Sequence, residues 1–94
     1  MKNKTAFITG ATSGIGMATA KLFAKNGLKL ILCGRREDRL KILLEELSTS
    51  TEVHTSRFDV RNKEEVFSAI NSLPQQFSEI DILINNAGNA HGMD

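Results

Sequence analysis

The chain has 94 residues, with 12 lysines and arginines against 11 aspartates and glutamates and a formal net charge of +1. That length holds at most one small domain, and the balanced, interspersed charge makes no electrostatic case for nucleic acid or an acidic membrane as the main partner. A single cysteine, Cys33, excludes an internal disulfide, and no apolar run approaches the roughly 20 residues of a membrane span, so the expectation is a soluble cytoplasmic domain.

The first element is a short, mostly apolar, partly β-branched run, Thr5-Ala6-Phe7-Ile8, which predicts a buried parallel strand ending at Thr9. Behind the glycine-rich turn that follows, Ile15, Ala18, Thr19, Leu22 and Phe23 recur at helical spacing, and Gly27 stands where a helix over 14–26 would stop. Residues 29–33 predict a second strand, with Cys33 as a buried, inert thiol. A second helix carries Leu40, Leu43, Leu44 and Leu47 on one face and Glu37 and Asp38 in its first turn, where negative charge suits the dipole. Residues 52–57 read as strand three. Helix three is expected to open at Asn62, with Glu65 reaching back, to bury Val66, Ala69, Ile70 and Leu73, and to stop near Pro74. Residues 80–84 are strand four, running into Asn85-Asn86-Ala87-Gly88.

Such βαβαβαβ alternation implies an α/β fold of Rossmann type, three-layered, with a parallel sheet of about four strands in order 3-2-1-4 and right-handed crossovers. Ligand is then expected at the carboxyl ends of the strands, beside the switch point between strands one and four. The glycine turn, the arginine pair, Asp59 and the two asparagines all fall at that end.

The turn reads Thr9-Gly10-Ala11-Thr12-Ser13-Gly14-Ile15-Gly16, a G-x-x-x-G-x-G spacing between a strand and a helix. A helix N-terminus offers unpaired N–H groups and the positive end of its dipole to a pyrophosphate. Gly10 is expected to make the tight turn, Gly14 to let the backbone approach phosphates, and Gly16 to let the helix pack close. At the end of strand two, where an acidic residue would hold the ribose 2′-hydroxyl of NAD, the chain has Gly34-Arg35-Arg36. Two guanidiniums suit a 2′-phosphate instead, which points to NADP; the alternative is a solvated basic pair, although cations there oppose the helix dipole. Asp59 is either an acceptor for the adenine amino group or a helix-entry residue with local hydrogen bonds. The amides of Asn85 and Asn86 are expected to find partners in the neighbouring loop and the ribose. His54 and His91 lack companions at metal-ligand spacing, and no metal site is expected.

Together these residues resemble the short-chain dehydrogenase/reductase family, whose N-terminal hallmarks are a T-G-x-x-x-G-x-G turn and an N-N-A-G strand end. Residues 34–40, 58–62 and 73–84, with the tail Asn89-Ala90-His91-Gly92-Met93, are similar to its NADP-dependent 3-hydroxy acid (serine) dehydrogenase branch. That branch more usually has an apolar residue at positions 89 and 91. The resemblance implies that Gly10, Ala11, Thr12, Ser13, Gly14 and Ile15 line the pyrophosphate and that Arg35 and Arg36 hold the 2′-phosphate. It implies too that Asp59 and the backbone of Val60 meet the adenine, and Asn86 the adenosine ribose, with Ala87 and Gly88 beside it. The family's chemistry belongs to a serine, a Tyr-x-x-x-Lys pair and a further asparagine, and this chain has no tyrosine. The expectation is that residues 1–94 are the NADP-binding N-terminal part of a reductase whose catalytic part is absent, and that no catalytic residue can be named. The parent would interconvert a hydroxyl and a carbonyl on a small 3-hydroxy acid or 3-oxoacyl group and would be a homo-oligomer. The rival readings are a stand-alone NADP-binding module, or an interaction fragment that completes its sheet by pairing an apolar edge of Ile80, Ile82, Leu83 and Ile84 with another chain.

Overall fold

The computed structural model describes residues 3–86, in which four parallel strands separate two layers of helix. β1 (Thr5–Thr9) leads into α1 (Gly14–Lys25), β2 (Lys29–Gly34) into α2 (Glu37–Leu47) and β3 (Val53–Arg57) into α3 (Lys63–Asn71). A single 3-10 turn, Gln75–Phe77, then precedes β4 (Ile82–Asn85). The sheet order is β3-β2-β1-β4, as the pattern predicts, so the winding reverses between β1 and β4.

Alternation along β1 and β2 divides the core in two. Ala6, Ile8, Leu30 and Leu32 face α1 and α2, meeting Ala20, Ala24, Leu40, Leu43 and Leu47. Phe7, Ile31 and Cys33 point the other way, against Phe58 and Phe77, with Val66, Ala69 and Leu73 packed around them. Both faces of the central strands are therefore covered, which is why they read as continuous apolar runs. Cys33 is the buried, inert thiol expected: burial pushes its pKa well above the usual range.

Three details differ from the expectations. The buried face of α1 is Gly16, Ala20 and Ala24, while Ile15 is 74% and Leu22 57% exposed. The helical period is as predicted, but its phase is rotated, because a stripe of small residues lets the helix axis approach the sheet. On α3 no residue is fully buried; Val66 and Ala69 are half-covered and Ile70 is 39% exposed. The helix also ends at Asn71, before Pro74, where the backbone N–H of Ser72 donates to Ser68 and Ala69. Finally, β4 begins at Ile82 and runs to Asn85. Asp81 is tied to Thr5 twice, its N–H donating to the Thr5 carbonyl and its Oδ2 accepting from the Thr5 N–H at 2.9 Å. The apolar edge is correspondingly less bare than expected: Ile80, Ile82 and Ile84 are half-covered and Leu83 alone of the four is exposed.

Candidate nucleotide site

The carboxyl ends of β1, β2 and β3 meet in a small cleft lined by Thr9, Gly10, Cys33, Gly34, Phe58 and Val60. The turn after β1 is anchored to this cleft on both sides. The Ala11 N–H donates to the Cys33 carbonyl at 3.0 Å, and the Ala11 side chain is fully buried. On the β4 side, Asn86 Nδ2 donates to the Gly10 carbonyl at 3.2 Å. The Thr9 hydroxyl accepts from the Asn86 N–H at 3.0 Å and lies 3.0 Å from Asn85 Oδ1. The Asn86 amide thus finds its partner in the turn, at Gly10, and the Asn85 amide finds one at the end of β1, in Thr9.

Two glycines have distinct structural reasons. A Cβ on Gly16 would stand 2.1 Å from the Gly10 carbonyl oxygen and 2.8 Å from Asn86 Nδ2, so only glycine lets α1 begin this close to the turn. Gly14 has φ +56, and its missing Cβ faces open space. Gly14 therefore leaves room above the start of the helix.

The first backbone bond of α1 runs from Met17 N–H to the Ser13 carbonyl, so the N–H groups of the preceding turn have no acceptor within the helix. Ser13 occupies the N-cap position but its hydroxyl caps nothing, and the first turn carries no acidic residue. This helix start combines donors, a positive dipole end and open space. A diphosphate fits those three properties.

Arg35 and Arg36 follow β2 directly, and both side chains are exposed. Arg36 is the N-cap residue of α2 and its Nε is 3.7 Å from Asp38 Oδ1, an exposed pair that salt screens readily. Asp59 lies just beyond β3. Arg61 grips its carboxylate, with Nε 3.1 Å from Oδ1 and a terminal nitrogen 2.9 Å from Oδ2, and the Arg61 N–H adds a bond of 3.0 Å. Those bonds bring the Asp59 pKa down to about 2. The local hydrogen-bonding of Asp59 is therefore realised here. Val60 packs against the Phe7–Phe77 side of the core and lines the cleft. Thr12 borders a groove with Met17, Arg39 and Ile42. Ala87, Gly88 and His91 lie outside the described residues. Among the described residues no group of histidine, cysteine and carboxylate side chains is arranged to hold a metal, and no helix is long and apolar enough to cross a membrane. His54 is half-buried, its ring 5.6 Å from that of Phe77, and burial lowers its pKa.

Two participants escaped the sequence reading. Thr9 was legible only as the first letter of the turn motif, whereas its hydroxyl joins β1 to both asparagines. Arg57, at the end of β3, carries no local signal, yet its Nε donates to the Arg35 carbonyl at 3.2 Å.

A family model described as short chain dehydrogenase matches residues 4–94. Sulfoacetaldehyde reductase 2 of Chromohalobacter salexigens is 54% identical over 81 residues, covering 86% of this chain and 32% of that protein. Serine 3-dehydrogenase of Rhizobium radiobacter is 49% identical over 88 residues, covering 94% of this chain and 34% of the relative. Among solved structures, L-sorbose reductase from Gluconobacter frateurii complexed with NADPH and L-sorbose superposes with a TM-score of 0.86 at 39% identity, over 93% of this chain and 34% of that one. An NAD+-bound xylitol dehydrogenase does so with a TM-score of 0.86 at 31% identity, over 93% of this chain and 34% of that one. The chain spans about a third of the length of the curated relatives it matches. With the glycine turn, the parallel sheet order and the family match in agreement, the chain belongs to the short-chain dehydrogenase family.

Proposed function

We propose that this chain is the NADP-binding part of a short-chain oxidoreductase that interconverts a hydroxyl and a carbonyl on a small 3-hydroxy acid or 3-oxoacyl group. The observation that carries the reading is the uncapped start of α1 above the cleft, with two exposed arginines at the end of the neighbouring strand. The NADPH in the sorbose reductase structure supports the same cofactor, while the NAD+ in the xylitol dehydrogenase makes the arginine pair the deciding feature.

In this reading the N–H groups at the start of α1, with Thr12 and Ser13, would hold the pyrophosphate, and Gly10, Ala11 and Gly16 would keep the turn in shape. Arg35 and Arg36 hold the 2′-phosphate by charge-assisted bonds. Asp59 and Val60 border the adenine, and Asn86, Ala87 and Gly88 border the ribose. Bound NADP supplies the hydride acceptor or donor. The substrate oxygen needs an acid, and the family's tyrosine has no counterpart in a chain without tyrosine. The 94 residues alone are therefore expected to bind NADP and turn nothing over; the parent enzyme would be a cytoplasmic homo-oligomer.

A thermal unfolding scan of the chain, alone and with NADP or NAD at equal concentration, tests the reading. Ligand at a hundred times its Kd stabilises by about 2.7 kcal/mol, so a transition raised by NADP and much less by NAD is expected. Equal shifts with both would defeat the arginine assignment. No shift with either would defeat the cofactor site.

A further inference from the structure

The loop that carries Arg35 and Arg36 is held at three successive carbonyls. Gly34 O accepts from the Phe58 N–H at 3.0 Å, Arg35 O from Arg57 Nε at 3.2 Å, and Arg36 O from the Leu40 N–H at 3.0 Å. Two of the three donors come from the end of β3. Gly34 and Arg57 are also register partners in the β2–β3 ladder, so the clamp is built into the strand pairing.

Arg57 differs from the other arginines around it. Arg36 has Asp38 nearby and Arg61 is committed to Asp59. Beyond its bond to the Arg35 carbonyl, Arg57 makes no hydrogen bond or ion pair among the described residues, and its side chain is exposed. An arginine can clamp a carbonyl through Nε and still present its two terminal nitrogens. A lysine would have to make both contacts from a single nitrogen.

We infer that Arg57 is a positioning and specificity residue for the 2′-phosphate of the nucleotide. Its Nε–H fixes the peptide from which the Arg35 and Arg36 side chains spring, and its charge adds to theirs at the same end of the sheet. The inference rests on the NADP reading above and extends it to a strand that the glycine motif does not reach.

Calorimetric titration of the 94-residue chain with adenosine 2′,5′-bisphosphate and with adenosine 5′-monophosphate separates the possibilities. The unmodified chain should prefer the bisphosphate. Arg57→Gln should weaken the bisphosphate about fivefold to tenfold and leave the monophosphate within about twofold, as the loss of one charge-assisted contact predicts. Arg57→Lys should restore part of the preference, more at low salt than at high, since it returns charge without the clamp. A preference untouched by Arg57→Gln, or an equal loss for both nucleotides, would overturn the inference while leaving the NADP reading intact. An unmodified chain indifferent to the 2′-phosphate would instead overturn the NADP reading. If Arg57→Gln does not fold, Arg57→Lys decides: a lowered preference with monophosphate binding retained supports the inference, and an unchanged preference overturns it.

Discussion

At the start of α3, Asn62 Oδ1 accepts from the N–H groups of Glu64 and Glu65, and two glutamates sit in the first turn beneath it. Glu65 in turn reaches the Asp59 N–H at 3.0 Å and the Asn62 amide at 3.2 Å. At the start of α1 the hydroxyl of the N-cap serine caps no backbone N–H, the first turn has no carboxylate, and a glycine leaves the space open. One helix satisfies its own terminus for stability. The other leaves it unsatisfied, and the donors it keeps are the ones a phosphate would use. A local rule of good helix design is thus obeyed at the start of α3 and broken at the start of α1.

The largest expected effect comes from crowding the close approach of α1 to the turn. Gly16→Ala puts a Cβ 2.1 Å from a backbone oxygen, which cannot move without dragging the turn. It should cost about 3 kcal/mol or more, read as a lowered urea midpoint, and abolish NADP binding. Gly14→Ala meets no atom and should cost only the left-handed backbone penalty, about 1–2 kcal/mol. Finding Gly16→Ala no worse than Gly14→Ala would show that close approach is not what Gly16 provides.

Exchanging the caps gives the next effect. Asn62→Ala should lower stability by about 1 kcal/mol without altering nucleotide affinity. Ser13→Ala removes no cap bond and should stay within about 0.5 kcal/mol in the absence of nucleotide. A Ser13→Ala loss as large as that of Asn62→Ala would erase the contrast between the two helix starts.

The smallest effect is in pH. Asp59 titrates near 2 in the fold against an ordinary value of 3.8, first through the side-chain bonds of Arg61 and then its backbone N–H. A carboxyl lowered on folding stabilises fully above its unfolded value and loses that contribution as pH falls through its folded one. The melting temperature should therefore drop between pH 4 and 2 by more in the unmodified chain than in Arg61→Gln, whose Asp59 lacks the guanidinium. Identical pH profiles would mean that the Arg61–Asp59 pair adds nothing measurable, as for many exposed pairs.

Much of this was readable along the chain because it depends on near neighbours. The Asn62 cap involves residues two and three positions apart, and the turn geometry at Gly10 and Gly14 is a matter of single backbone positions with φ +62 and +56. The rotated face of α1 was not readable. Ile15 and Leu22 are the larger apolar residues, and size alone assigns them to the core. Only the contact between Gly16 and the Gly10 peptide turns the small-residue stripe inward. The thin cover of α3 was hidden for a similar reason, since its apolar positions are spaced for burial and the extent of cover depends on what packs above them.

The sequence by itself determined the order of the elements, the parallel sheet and the glycine turn between β1 and α1, because periodicity and turn chemistry act over a few residues. The tertiary structure decided what crosses between strands: Asn86 holding the Gly10 carbonyl 76 positions away, Thr9 joining both asparagines, and Arg57 clamping the loop of Arg35. Those contacts follow from strand register, which emerges only when the whole sheet is assembled and both of its faces are covered.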